Sequence, residues 1–174
     1  MDIHGIPIGS IWTAIRWFPR FFLSKYFPRE RLAALQYVDL APRNESATLN
    51  LGEAASFELW LQIINLSPFE VELDRAEFEF HYAGATLKSS VLKKQTFLPG
   101  QITLIQVSNI VPDGLANQIV RNRAINFSDM YGALSGHIEF NCKLYPFPRQ
   151  IAHLAGVRPR IINENMRASV LRAE

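Results

Sequence analysis

From Phe57 to Tyr82 the chain alternates apolar and polar residues over two long runs joined by a tight break. Phe57, Leu59, Leu61 and Ile63 share one parity, and Phe69, Val71 and Leu73 resume it after Asn65-Leu66-Ser67-Pro68. At Asp74-Arg75 the phase slips by one, and Ala76, Phe78, Phe80 and Tyr82 carry the apolar side beyond it. A period of two puts one face of a strand in a core and the other in solvent. A one-residue slip inside such a run is the mark of a bulge or tight corner. The stretch therefore predicts a half-buried antiparallel sheet.

Strand signals continue on both sides of it. Leu35 to Leu40 predicts a first strand, closed by Ala41-Pro42-Arg43-Asn44, and Thr48 to Leu51 a short second one before Gly52. Ala83-Gly84 closes a hairpin, and Ser89 to Phe97 reads as the returning strand, with Lys93 and Lys94 exposed. Leu98-Pro99-Gly100 turns into Gln101 to Val107, where Ile102 and Leu104 alternate with Gln101 and Thr103. Ile105 and Val107 make that strand apolar on both sides. The last strand sets Leu134, Gly136, Ile138, Phe140, Cys142 and Leu144 against Ser135, His137, Glu139, Asn141 and Lys143. Pro112-Asp113-Gly114 opens the one helix expected in the body, with Leu115, Ile119 and Val120 inward and Arg121 and Arg123 near its end. Evenly spaced strands with turn signals and no βαβ rhythm predict a mainly β chain, an antiparallel β-sandwich with one short helix before the last strand.

The first residues follow another period. Ile8, Ile11, Trp12, Ile15, Phe18, Phe22 and Tyr26 recur at helical spacing, with Ser10, Thr13, Arg16, Arg20 and Ser24 opposite. Pro19 removes a backbone donor within the pattern, so a kink or two short helices are expected rather than one rod, and Pro28 starts another short piece from Arg29 to Leu35. Spanning a bilayer is disfavoured. Eight Ile, Phe and Leu residues in 8–27 gain roughly 2.4 to 4.8 kcal/mol, whereas two central arginines cost roughly 5 to 7. Lying in an interface suits the segment better, with Ile11, Trp12, Ile15, Trp17, Phe18, Phe21 and Phe22 inserted and Arg16, Arg20 and Lys25 on phosphate. An aromatic and arginine-rich segment also fits a groove on a protein partner, or packing on its own domain as an ordinary core helix. The chain thus divides into an N-terminal amphipathic aromatic and basic segment, 1–34, a β-sandwich, 35–148, and a basic C-terminal tail, 149–174. In the tail, Ile162, Met166 and Val170 are spaced for a short helix.

Charge sharpens this division. The chain of 174 residues carries a net charge of only +2, but residues 45–82 hold eight carboxylates against the single base Arg75, while both ends are basic. Basic ends suit an anionic surface. Nucleic acid is not expected as a partner, because the body is acidic where an RNA platform would be basic. The lone Cys142 forbids an intrachain disulfide and favours a reducing compartment. No basic n-region or small-residue cleavage site opens the chain, so no secretory signal is expected.

Candidate chemistry is sparse. No P-loop, dinucleotide glycine pattern, zinc signature or calcium loop occurs, and no cofactor or metal is expected. His81 and His137 project from polar strand faces without ligand spacing to carboxylates or thiolates. Glu70, Glu72, Glu77 and Glu79 alternate as a solvated face that discourages edge pairing. Gly132-Ala133-Leu134-Ser135-Gly136 has its serine one position late for a nucleophile elbow and lies in a strand.

Several turns in this pattern form a set: a long strand ending in Asn65-Leu66-Ser67-Pro68-Phe69, then Val71-Glu72-Leu73, then Phe78 to Tyr82 with Gly84, Leu98-Pro99-Gly100 before a strand, and Tyr131 to Leu144 before Pro146-Phe147-Pro148. Over roughly residues 48–158 this set resembles the group 2 late embryogenesis abundant domain, also called the water stress and hypersensitive response domain. The resemblance implies an immunoglobulin-like sandwich without the intersheet disulfide, an N-terminal membrane-associated segment and no catalytic residues. Such domains are linked to stress protection and lipid binding. The expectation is a non-enzymatic, peripheral membrane module on the cytoplasmic side, or else a subunit whose residues 8–27 enter a protein partner.

Overall fold

The computed structural model describes residues 18–42, 45–125 and 131–173. These residues form a mainly β protein of two sheets and a few short helices. The first sheet is built on β3 (Ser56–Asn65). Along one side of it β1 (Gln36–Leu40) and β2 (Ala47–Asn50) lie end to end, and the other side is lined by β7 (Ile102–Ile110). The second sheet is built on β4 (Val71–Tyr82), with β5 (Ala85–Val91) and β6 (Gln95–Phe97) end to end on one side. On its other side come β8 (Gly132–Cys142) and then β9 (Phe147–Val157).

The two inner faces share one core. Phe57, Leu59, Leu61, Ile63, Ile105 and Val107 from the first sheet meet Val71, Leu73, Phe78, Phe80, Ile138 and Phe140 from the second. The rings of Phe57 and Phe80 lie 6.4 Å apart across the interface. Burial of each large side chain contributes about 1.5 to 3 kcal/mol. The phase slip has its predicted cause: β4 pairs Leu73 with Phe140 and Arg75 with Glu139, leaving Asp74 as the extra residue of a bulge. Ala83 and Gly84, both at positive φ (49° and 75°), make the β4–β5 turn. Helix α3 (Asp113–Ile125) closes over that turn, Gln118 donating to the Gly84 carbonyl at 2.9 Å and Asn122 to that of Ala83 at 2.7 Å. Helices α1 (Arg20–Tyr26) and α2 (Arg29–Ala34) precede the first strand, with Pro19 and Pro28 at their N-terminal caps.

Several elements depart from the sequence pattern. The strand expected over Ser89 to Phe97 is two strands, interrupted at Leu92-Lys93-Lys94. In β7 it is Ile105 and Val107 that face the core, while Ile102 and Leu104 are exposed on the outer face. The largest correction concerns residues 149–174. They are not a tail after a final strand, because β9 extends the second sheet and β10 (Pro159–Ile162) pairs in parallel with β2. Three strands therefore follow α3, and one pairing of the body is not antiparallel. The apolar residues of β9, Phe147, Ile151, Leu154 and Val157, are spaced by three and four because two register shifts interrupt its pairing with β8. That spacing hides a strand from any test for period two.

Helix α4 (Glu164–Ala173) ends the chain against α3. Arg123 donates to Glu164 at 2.9 and 3.3 Å and to the Tyr82 hydroxyl. Arg167 donates to the Leu51 and Gly52 carbonyls at 2.9 and 2.7 Å, to Asn117 at 2.9 Å and to Asp113 at 2.8 Å. The free side of β7 is stitched to the other sheet by side chains, Ser89 Oγ donating to the Ser108 carbonyl at 3.0 Å and Asn109 Nδ2 to the Lys88 carbonyl at 2.8 Å.

Candidate functional site

One end of the body gathers the aromatic segment, two turns and a buried polar hub. Leu23 and Phe27 of the α1 region are buried, the Phe27 ring standing edge-on to Phe69 at 5.1 Å. The Tyr145 hydroxyl donates to the Phe27 carbonyl, and Arg20 Nε donates to the Leu144 carbonyl at 3.1 Å. Arg31 lies over the Phe27 ring and Arg29 over Tyr145. With these contacts fixing one side, Phe18, Phe21, Phe22 and Tyr26 point outward, each 52 to 78% exposed. Phe18, Phe22 and Tyr26 are the described residues of the helical stripe read from the sequence, and they face solvent, whereas Leu23 and Phe27 hold the body. Lys25 is exposed, whereas the Arg20 guanidinium is turned onto Leu144. Ile11, Trp12, Ile15, Arg16 and Trp17 lie outside the described residues.

The hub is Asn65. Its amide donates to the Phe69 and Phe97 carbonyls at 2.7 and 2.9 Å, and its oxygen accepts from Ser67 N at 3.0 Å, Ser67 Oγ at 2.7 Å and Gln36 Nε2 at 3.1 Å. Asn65, Ser67 and Gln36 are all buried, so their polar groups depend on one another. Leu66 N donates to the Leu35 carbonyl at 2.8 Å, just after α2, and Gly100 N to the Asn65 carbonyl at 2.7 Å. The β3–β4 and β6–β7 turns are thereby tied to each other and to the helices. Their tips carry Leu66 and Leu98, both half-exposed. Sequence reasoning read these leucines only as turn residues; an apolar residue at the tip of a turn was the available signal.

The outer face of the second sheet is a ladder of paired charge. Lys94 meets Glu72 at 3.0 Å, Lys88 meets Glu79 at 3.0 Å and Arg75 meets Glu139 at 3.2 Å. Arg75 holds the Glu139 carboxyl below its ordinary pKa. Ser135 Oγ stands 3.4 Å from His81 Nε2, but Glu79 approaches the same nitrogen at 3.9 Å while Nδ1 faces Thr86 at 3.0 Å. A serine–histidine relay needs the carboxylate on the opposite nitrogen, so this arrangement is a surface hydrogen-bond row. Gly132 and Gly136 lie beneath Phe80 and Phe78, which explains both glycines of the elbow-like sequence by packing. A cleft of about 390 Å³ opens beside this face, lined by Phe69, Glu70, Glu72, Asn141, Cys142 and Lys143. Among the described residues no cluster of His, Cys, Asp or Glu could hold a metal ion, and no helix is long and apolar enough to cross a membrane.

Two phenols are perturbed. Burial raises Tyr82 above its ordinary pKa, with Arg123 opposing, and burial likewise raises Tyr145, with Cys142 adding. A folded-state pKa raised above the unfolded value gives a contribution to stability that is present below about pH 10 and lost as the pH climbs past it. A phenolate absorbance titration should show both groups ionising late, and Tyr145→Phe should delete one late component. Loss of an ordinary component instead would refute the assignment.

No family model matches the sequence, and no curated protein matches it. Among solved structures, AT1g01470 from Arabidopsis thaliana is similar at 15% identity over 73% of this chain and 81% of that one, with a TM-score of 0.51. A second, At2g46140.1, described as a late embryogenesis abundant (LEA) protein, is 11% identical over 87% of this chain and 88% of its own, with a TM-score of 0.37. At such identities the first likeness speaks to the fold alone.

Proposed function

We propose that this chain is a non-enzymatic, immunoglobulin-like sandwich of the late embryogenesis abundant group 2 type, held peripherally at an anionic membrane surface by its N-terminal segment. The observation that carries the reading is α1: Leu23 and Phe27 fix it to the body while four aromatic side chains remain in solvent. Exposed aromatic rings beside Lys25, Arg29 and Arg31 match an interface that is apolar below and negatively charged above. The turn set noted in the sequence supports the domain type, and the likeness to AT1g01470 supports the fold alone.

A truncation at Leu35 would strip Leu23, Phe27 and Leu32 from the core, so the test uses exposed positions. Phe18→Ser, Phe21→Ser and Phe22→Ser together should reduce flotation with phosphatidylserine-containing vesicles by at least about tenfold while leaving the unfolding transition in place. Added salt should weaken the parent chain's binding as well. Undiminished flotation of the triple variant would remove α1 from the anchor. A second reading, a subunit of a protein assembly, draws on the outer face of the first sheet, where Tyr37, Trp60, Ile102 and Leu104 are exposed. Lipid-independent co-purification of a stoichiometric protein would favour it.

A further inference from the structure

We infer that the body itself docks on the membrane end-on, through the two turn tips bearing Leu66 and Leu98, as a second contact beside α1. The inference rests on the membrane reading above and adds an orientation to it. Three observations carry it.

The first is position. Phe69, on which the Phe27 ring rests, belongs to the segment that bears Leu66, and the Phe97 carbonyl that Asn65 holds immediately precedes Leu98. Helix α1 and both leucines therefore occupy one end of the molecule.

The second is charge. Around this end stand Lys25, Arg29, Arg31 and Lys143 against Glu30 and Glu70, a net positive set. The outer face of the second sheet carries Glu72, Asp74, Glu77, Glu79 and Glu139 against Arg75, Lys88 and Lys94, and so keeps a net negative charge. An anionic surface attracts the first set and repels the second. Standing on the turns is the pose that brings α1 to the lipid without pressing the acidic face against it.

The third is rigidity. The buried hub bonds both turns to the chain after α2, so Leu66 and Leu98 are presented without further ordering of the backbone. Insertion then loses little conformational entropy, which is what makes a pair of exposed leucines an effective contact.

The test places an environment-sensitive NBD label at Leu66→Cys, Leu98→Cys or Ser90→Cys in the full chain carrying Cys142→Ser. Ser90 is exposed on a strand of the second sheet and serves as the solvent control. Vesicles are phosphatidylcholine with phosphatidylserine, and binding is read by co-sedimentation in the same samples. Labels at 66 and 98 should shift to the blue on vesicles and the label at 90 should not. The unlabelled double variant Leu66→Ser and Leu98→Ser should bind about tenfold more weakly than its parent, with its unfolding midpoint unchanged because both side chains are half in solvent. If the chain sediments while labels at 66 and 98 stay in water, end-on docking fails and the α1 anchor survives. If the chain does not sediment at all, both fail together. Labels already shielded before lipid is added would mean that protein covers the turns, and this too overturns the inference.

Discussion

Asn65→Ala should lower the free energy of unfolding by roughly 3 to 5 kcal/mol, the largest effect expected of any single polar substitution in this chain. Truncation removes two donated and three accepted bonds at once. It strands the Phe97 carbonyl and the Ser67 amide where water does not reach, and leaves the Phe69 carbonyl with the Ser67 hydroxyl alone at 3.2 Å. Each buried group left unpaired costs about 1 to 3 kcal/mol, partly relieved by relaxation. Urea unfolding should show a lower midpoint with an unchanged slope. Asn65→Asp sharpens the case, since it keeps the acceptor and sets a carboxylate against two carbonyl oxygens. It should be at least as damaging near neutral pH and partly recover as acid protonates the side chain. Leu66→Ala, next in the chain but half in solvent, should change stability by less than about 0.5 kcal/mol. A loss under about 1 kcal/mol for Asn65→Ala would mean the hub is solvated.

Gly136→Ala should cost about 2 to 3 kcal/mol through overpacking. A Cβ there would stand 2.6 Å from Phe78 Cδ1 and 2.7 Å from the Glu77 carbonyl oxygen. The ring could turn, but the carbonyl belongs to the β4 backbone and cannot yield without disturbing the ladder. The comparison is Gly114→Ala in the first turn of α3, where nothing lies within 4 Å of the added carbon and helix propensity favours alanine by up to about 1 kcal/mol. Thermal melting of the two variants should move in opposite directions. Equal melting temperatures would show that β4 and β8 can separate slightly at no cost, contrary to the packing described.

The contrast between β4 and β9 shows what was legible in the sequence. Strand β4 is paired along both sides, so its side chains kept strict alternation on either side of the bulge and the slip at Asp74 could be placed to the residue. Strand β9 pairs through two register shifts, and its buried residues lost the period that would have revealed it. In β7 both faces are apolar, so periodicity could not choose between Ile102 with Leu104 and Ile105 with Val107; packing against the second sheet made the choice. At the candidate site, the aromatic segment was evident from composition. Leu23 and Phe27 as its attachment to the body were not, because that assignment depends on Phe69, forty-two residues beyond Phe27 in the chain. Asn65 was visible as a turn residue, and its five bonds depend on partners as distant as Gln36 and Phe97.

The side-chain stitching along β7 bears on how the protein behaves in crowded solution. An open strand edge is a template on which another chain can add a strand, and repetition of that event builds fibres. Here the Ser108 carbonyl accepts from Ser89, and Asn109 reaches across to the Lys88 carbonyl. An incoming strand would have to displace both bonds to pair along the Ser108–Asn109 end of β7. Replacing Ser89 and Asn109 with alanine would free the Ser108 and Lys88 carbonyls beside the exposed Ile102, Leu104 and Ile110, and with them a nucleus for self-assembly.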